Sequence, residues 1–366
     1  MKKICLFKYD YNNVGGTEVV AVKLANELCK YYEVHLVSVA TIGNKIEHFK
    51  LDSRVKFHNF FTEKKRIRKI FFSASKMLKE YLSKNQIDII FSIGVQSNAL
   101  MLLGAQFTKT KTVACDHMTI QNDYSSRSYA FQRWLGAKYA DKIVVLTEEN
   151  LRGYIQKYSI SANKITFIYN WIDDLSNEPQ YNVSAKQIVT VGRIFKAKGY
   201  DLLMPVAKKI FEKHPDWRWY ICGDGTEESK EEIRQFIMDN GLEQRLVMLG
   251  NVKNMSEVYK NSSIYVMTSY FEGLPLVLLE AKQYKIPIVS FNCSTGPSEI
   301  IRNNENGYLI DKFNKNEMIE RIDYLITHQN IREEFSKNAY LDIEKFSKSY
   351  IIKEWINLIE EMTNNE

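Results

Sequence analysis

Short apolar runs rich in β-branched residues alternate with helix-length amphipathic segments from one end of this 366-residue chain to the other. That alternation constrains the fold more than any other feature. Strands separated by helices pair in parallel and bury both sheet faces beneath the connections. "KKICLFKY" leads through "VGG" into "TEVVAVKLANELCKYY", whose Val20, Leu24 and Leu28 recur at helical spacing. "EVHLVSV", "IDIIFSIG", "KTVACDH" and "DKIVVLT" follow. "IDDLSNEPQYNVSAK" then loses the apolar period and carries Pro179, which reads as a linker. The alternation restarts with "QIVTVGR", "RWYICGDG", "RLVMLGNV", "SIYVMTSY", "IPIVSFN" and "GYLID". A chain of this length exceeds one ordinary core. The expectation is therefore α/β: two doubly wound parallel-sheet domains facing across a cleft, at 1–171 and 188–349, with a linker at 172–187. The helical pattern "YIIKEWINLIEEM" in 350–366 has no strand after it and is free to cross back to the first domain.

Open α/β sheets bind ligands beyond the carboxyl ends of their strands, so the residues there are the candidates. "FEGLPLVLLE" places Glu272 and Glu280 around a helix expected to start at Pro275, with Gly273 allowing the turn before it. First-turn N–H groups and the helix dipole between two carboxylates suit a long ligand that has hydroxyls at both ends and an anion in the middle, the order of parts in a nucleotide diphosphate sugar. The alternative is two glutamates facing water. The apolar run Leu276–Leu279 argues that Glu280 borders the interior and needs a partner. Arg193 and Lys198 of "RIFKAKG" form either a diphosphate clamp or a solvated basic loop. His117, at another strand end, either bonds a sugar hydroxyl or is a satisfied structural histidine. Gly15 and Gly16 either admit a ligand to the backbone or serve a tight turn. "CGDGTEES" has Glu228 where a dinucleotide fingerprint needs a third glycine, which disfavours a dehydrogenase. No aspartates stand two apart, so the paired-acid metal site of many sugar transferases is absent from the sequence. Arg193, Lys198 and helix N–H groups could neutralise a diphosphate instead, with no metal or other cofactor expected.

A net charge of +6 favours anionic partners. No zinc spacing, helix-turn-helix signal or basic tail supports nucleic acid. Five scattered cysteines read as reduced core residues of a cytoplasmic protein. The N-terminal run is too short for a signal peptide and no apolar run reaches membrane-spanning length. Lys64, Lys65, Arg66, Arg68 and Lys69 stand beside Phe71 and Phe72, so this stretch either lies on the anionic inner face of a cell membrane or forms a solvated helix.

In order along the chain, "VGG", His117, "VGRIFKAKG", "CGDG", "LGNV", "FEGLPLVLLEA" and "STGPSEII" resemble the retaining glycosyltransferases of family 4, the group 1 transferases with the GT-B fold. The most specific piece is E-x7-E, matched by Glu272 and Glu280. The resemblance implies that Glu272 lies against the donor hexose and Glu280 holds the ribose. It sets the N–H groups from Gly273 through Leu274, Pro275, Leu276 and Val277 against sugar and diphosphate. Arg193 and Lys198 match the phosphate-binding pair, His117 the first-domain histidine beside the transferred sugar, and Gly16 the glycine loop. Gly223 falls on the donor side, and the loop at Val252 resembles the one whose backbone reads the base. Trp171 stands where many relatives have glycine. "NCSTGPSEII" looks like the variant of capsule, exopolysaccharide and lipopolysaccharide enzymes, many of which use UDP-hexoses or UDP-N-acetylhexosamines.

The implied function is metal-independent transfer of such a sugar, with retention, to a growing lipid-linked glycan. The departing diphosphate takes the acceptor proton while Glu272 and His117 support the sugar. Two rivals stand beside this one: a phosphorylase-like enzyme on the same fold, for which no pyridoxal lysine motif is found, and a non-catalytic nucleotide-sugar-binding partner of another transferase.

Overall fold

The computed structural model describes residues 1–12, 15–41, 46, 49–63, 65–120, 127–173 and 179–364. They form two compact units, Met1–Asn170 with Lys348–Glu366, and Trp171–Ser347.

The first unit carries strands β1 (Lys3–Lys8), β2 (Glu33–Ser38), β3 (Lys56–Asn59), β4 (Ile89–Ile93), β5 (Lys111–Asp116), β6 (Lys142–Val145) and β7 (Ile165–Phe167). Its helices are α1 (Gly16–Leu28), α2 (Ile67–Asn85), α3 (Asn98–Ala105), α4 (Arg127–Tyr139) and α5 (Glu148–Tyr158). The strands run in the order β3-β2-β1-β4-β5-β6-β7. Every pairing is parallel, as in Cys5 opposite both His35 and Ile90. Strand β4, "IIFSI", is buried at every position because helices cover both faces.

The second unit has β8 (Gln187–Val191), β9 (Arg218–Cys222), β10 (Leu246–Gly250), β11 (Ile264–Met267), β12 (Ile288–Phe291) and β13 (Gly307–Ile310), in the order β10-β9-β8-β11-β12-β13. Helices α6 (Tyr200–Lys213), α7 (Glu227–Asp239), α8 (Met255–Lys260), α9 (Leu276–Gln283) and α10 (Pro297–Ile300) connect them, and α11 (Lys315–Thr327) and α12 (Gln329–Lys337) follow the last strand. Its core joins Trp219, Phe211, Phe291, Ile264 and Ile322 between sheet and helices. In both sheets the winding reverses beside the first strand, between β1 and β4 and between β8 and β11. Crevices for ligands open at such reversals.

Helix α13 (Lys348–Asn364) begins two residues earlier than its sequence pattern suggests and belongs to the first unit. Ile351, Ile352, Trp355, Leu358 and Ile359 make its buried stripe, and the Trp355 ring meets Phe91 edge-on at 5.6 Å. Glu360 pairs with Lys2 at 2.6 Å and accepts from the Tyr32 hydroxyl at 2.8 Å. The segment 172–187 departs from a free linker where it is described. Ile172 bridges Ser347, the Tyr181 hydroxyl donates to the Ser263 carbonyl at 2.7 Å, and Arg332 donates to the Val183 carbonyl at 3.0 Å. These contacts fasten it to the second unit; residues 174–178 lie outside the described residues. Among the described residues no helix is long and apolar enough to cross a membrane.

Candidate active site

In the second unit the loops after β8 and β11 meet at the reversal of winding. Gly199 has φ 65°, and a Cβ there would lie 2.1 Å from the Thr268 carbonyl oxygen, so only glycine lets the two loops press together. The Tyr270 N–H donates to the Ala197 carbonyl at 2.8 Å, and the Thr268 hydroxyl to the Gly199 carbonyl at 2.9 Å. This lacing brings Lys198 Nζ to 2.6 Å from Glu272 Oε1, which also accepts from the Ser269 hydroxyl at 2.6 Å. The two side chains are 21% and 11% exposed, enough to be reached by a ligand yet shielded enough for their charges to act strongly. Glu272 Oε2 has no hydrogen bond among the described residues, and neither has the exposed Arg193 guanidinium. One carboxylate oxygen of the pair and one forked cation of the same loop thus keep hydrogen-bonding capacity unused among the described residues.

The neighbouring strand ends are tied to this pair. Gly192 donates to the Cys222 carbonyl at 2.9 Å, Ile194 to the Asp224 carbonyl at 2.8 Å, and Gly223 to the Gly250 carbonyl at 2.8 Å. A Cβ on Gly223 would lie 2.0 Å from the Gly192 carbonyl oxygen, so this glycine serves the close packing of two loops. Val252, half-buried, stands two residues beyond the end of β10.

Helix α9 starts at Leu276 rather than Pro275. Pro275 is its N-cap, with φ −74° and ψ 104°, and having no N–H it cannot take part in the expected row of donors. The donors available there are Gly273, Leu274, Leu276 and Val277, while the Leu274 side chain and Pro275 are buried. The half-buried Glu280 carboxylate accepts from the Tyr259 hydroxyl at 2.7 Å, the partner its apolar surroundings required. Burial, then the Glu280 charge, push the Tyr259 phenol well above its usual range. The Thr295 hydroxyl donates to the Glu272 carbonyl, fixing "STGP" against "FEGLP". Ser294 Oγ beside it is buried with no hydrogen-bond partner among the described residues.

In the first unit Gly16 opens α1, and its N-cap Gly15 has an extended backbone that any residue adopts. A Cβ at Gly16 would meet nothing within 4 Å, whereas one at Gly15 would lie 2.8 Å from Glu18 Oε2. Open space at the helix start, rather than a strained turn, is what the pair provides; Val14 before it lies outside the described residues. Glu18 is buried and pairs at 3.2 Å with Lys8, the buried last residue of β1. His117 follows β5 in a loop held from beneath. Asp116 accepts from Arg133 Nε at 2.6 Å, from the Tyr154 hydroxyl at 2.6 Å and from the Met118 N–H at 2.9 Å. Arg133 Nη2 donates to the Thr119 carbonyl at 2.9 Å, and Asn150 donates to the Met118 carbonyl at 2.8 Å.

Burial, and secondarily the Lys8 ammonium, pull the His117 pKa down to about 3. The ring is therefore neutral at physiological pH and offers hydrogen-bonding nitrogens rather than a charge. Between pH 6.5 and about 3 the unfolded chain holds a proton on this ring that the folded chain does not, so stability falls as pH falls through that window. His117→Gln is expected to flatten that part of the acid limb in denaturant midpoints measured against pH. Parallel limbs for the two proteins would show that the ring is protonated in the folded state.

The predicted residues therefore fall into two sets. Gly16 and His117 belong to the first unit; Arg193, Lys198, Gly223, Val252 and Gly273–Val277 with both glutamates belong to the second. Sequence reasoning missed Lys8, Glu18, Arg133, Tyr154, Tyr259 and Ser269. The usable signal was a charge ending an apolar strand, at Lys8 and at Asp116, since each needs a buried counter-charge.

The family model for glycosyl transferases group 1 matches residues 172–342, and that for Glycosyltransferase Family 4 matches residues 14–174. An uncharacterized glycosyltransferase of Haemophilus influenzae is 31% identical over 98% of this chain and 100% of its own length. The amylovoran biosynthesis glycosyltransferase AmsD of Erwinia amylovora is 28% identical over 98% of this chain and 100% of its own. Among solved structures, a variant of S. aureus TarM in complex with fondaparinux, alpha-GlcNAc-glycerol and UDP superposes with a TM-score of 0.80 at 18% identity, covering 98% of this chain and 100% of that one.

Proposed function

This chain belongs to the GT-B glycosyltransferases of group 1 and family 4, and on that premise we propose that it moves a hexose or N-acetylhexosamine from a UDP-sugar to a lipid-linked glycan in bacterial surface-polysaccharide synthesis. The observation that carries the reading is the Lys198–Glu272 pair at the β8/β11 reversal, with the exposed Arg193 guanidinium, unbonded among the described residues, on the loop of Lys198 and the first-turn N–H groups of α9 following Glu272. An anion at Arg193 and Lys198 receives two cations, which is what a departing diphosphate needs. Glu272 Oε2 accepts from a sugar hydroxyl, and the Glu280 carboxylate, steadied by Tyr259, accepts from the ribose. A polysaccharide-synthesis relative and a UDP-bound neighbour support the substrate class.

Transfer proceeds with retention and without a metal. The bond from the anomeric carbon to the diphosphate breaks, the acceptor oxygen bonds to that carbon on the same face, and its proton passes to the departing phosphate. His117 contributes a hydrogen bond to the sugar.

Thermal unfolding with UDP, GDP and ADP tests the donor site. A ligand that binds only the folded state adds about 2.7 kcal/mol at a hundredfold excess over Kd. UDP is expected to raise Tm in the wild-type chain, and Glu280→Ala to abolish the shift. A shift that survives in Glu280→Ala removes the ribose role, and no shift with any nucleotide removes the donor site.

A further inference from the structure

A second feature lies on the first unit, away from the strand ends described above. Helix α4 is amphipathic in the reverse sense. Its buried positions include Arg133, Gly136 and Ala137, while its large rings point out: Phe131, Trp134 and Tyr139 are 54%, 41% and 56% exposed. Trp134 stands three residues and Tyr139 eight residues after Phe131, which sets both on the same side of the helix as Phe131, away from Arg133, Gly136 and Ala137. Phe131 stacks on Trp134 at 5.9 Å, and Trp134 meets Tyr139 edge-on at 6.1 Å. Beside them runs a trough of about 980 Å³ whose apolar walls are Phe71, Leu102, Leu103, Phe131, Leu135 and Tyr139. It follows from length, because α3 has only 8 residues where α2 has 19 and α4 has 13.

The rim is cationic. Lys109 and Lys111 line the trough, and Lys138 Nζ sits 5.1 Å from the Trp134 ring and 5.2 Å from that of Tyr139. Phe107, largely exposed at the end of α3, carries Lys79 at 5.2 Å. Asp141 also lines the trough, but one oxygen already accepts from the Thr112 N–H and hydroxyl, each at 2.7 Å. At the other end, Phe71 leads to the exposed Phe72 and to Lys65, Arg66, Arg68 and Lys69; Lys64 lies outside the described residues.

Exposed rings, two of them with polar tips, long cations folded over them and an open apolar channel match the layering of a bilayer surface, where aromatic side chains sit at headgroup depth and lysines reach phosphate. A second copy of this chain fits worse, since a self-complementary contact would set Lys109, Lys111 and Lys138 against their own images. We propose that this face, centred on Phe131, Trp134 and Tyr139, docks the protein on an anionic bilayer, with lipid hydrocarbon in the trough and phosphates on its lysine rim. The basic stretch 65–69 is then the flank of a larger surface whose apolar centre lies on α3 and α4. This inference stands independently of the donor-site reading.

Flotation of the full chain with vesicles of phosphatidylcholine, with and without phosphatidylglycerol, tests it. The protein is expected to float with the anionic vesicles alone. Phe131→Ser/Trp134→Ser/Tyr139→Ser should lower partitioning at least about tenfold, with Tm and the UDP-induced shift unchanged. Neutralising Lys109, Lys111 or Lys138 with glutamine should cost about fivefold each. Absence of flotation, flotation indifferent to the triple substitution, or a concentration-dependent dimer that the triple substitution dissolves would each overturn the proposal. A missing UDP shift in the wild-type chain bears on the donor site alone.

Discussion

Lys198→Met is expected to lower kcat/KM by about two to three orders of magnitude while leaving the fold intact. The ammonium lies 2.6 Å from Glu272 and is partly shielded, so a diphosphate reaching the loop meets a fixed, poorly screened charge. That charge counts most when the phosphate oxygen gains negative charge as the sugar leaves, which places the loss in kcat as well as in KM. Methionine keeps the length and the packing of the stem while removing the charge. Release of the nucleoside diphosphate from the proposed donor in steady state measures the effect, with thermal unfolding alongside. Glu272→Gln should fall short of additivity with Lys198→Met, because each single change already disrupts the shared pair. A loss below tenfold in Lys198→Met, or strict additivity, would exclude the pair from the chemistry.

Arg133→Met is expected to produce the largest fall in stability. Arg133 is fully buried, and with it gone Asp116 keeps only the Tyr154 hydroxyl and backbone donors around a carboxylate in an apolar interior. Breaking one side of such a pair costs about 3–5 kcal/mol, which for a unit of this size lowers Tm by roughly 6–20 °C. The His117 loop also loses the bond from Arg133 to the Thr119 carbonyl, so activity at permissive temperature should fall with it. Asp116→Asn in the same chain removes the stranded charge and should recover part of the stability. Thermal unfolding of the three variants decides. A single variant within 1 kcal/mol of wild type would mean that Asp116 finds solvent or another cation.

The two predictions rest on residues of unequal visibility in the sequence. Lys198 and Glu272 stand in the loops that follow apolar strands, where the α/β pattern places ligands, and all six strands of the second unit were legible. Arg133 was not. In "RSYAFQRWLGAKY" it sits among polar and aromatic residues like any solvent-facing arginine, and only the pairing of β5 beside β6 and the packing of α4 set it under Asp116. Strands β3 and β7 escaped because they are edge strands of four and three residues, too short for a period to register. The exposed rings of α4 invert the usual inside-outside rule, so a hydrophobic pattern assigns them to the core. Segment 172–187 lost its period because it is held by isolated side chains such as Tyr181 rather than by a repeating face.

Helix α13 sets an order on synthesis. The Trp355 ring that covers Phe91 and the Glu360 carboxylate that ties Lys2 are translated only after the whole of the second unit. At ordinary elongation rates that interval lasts on the order of ten to thirty seconds. Through that time the nascent first sheet carries an uncovered apolar strip along β4 while the second sheet leaves the ribosome and can close on its own. Parallel strands with such strips are prone to wrong partners, so the first unit is most exposed to mispairing in the interval before its closing helix arrives.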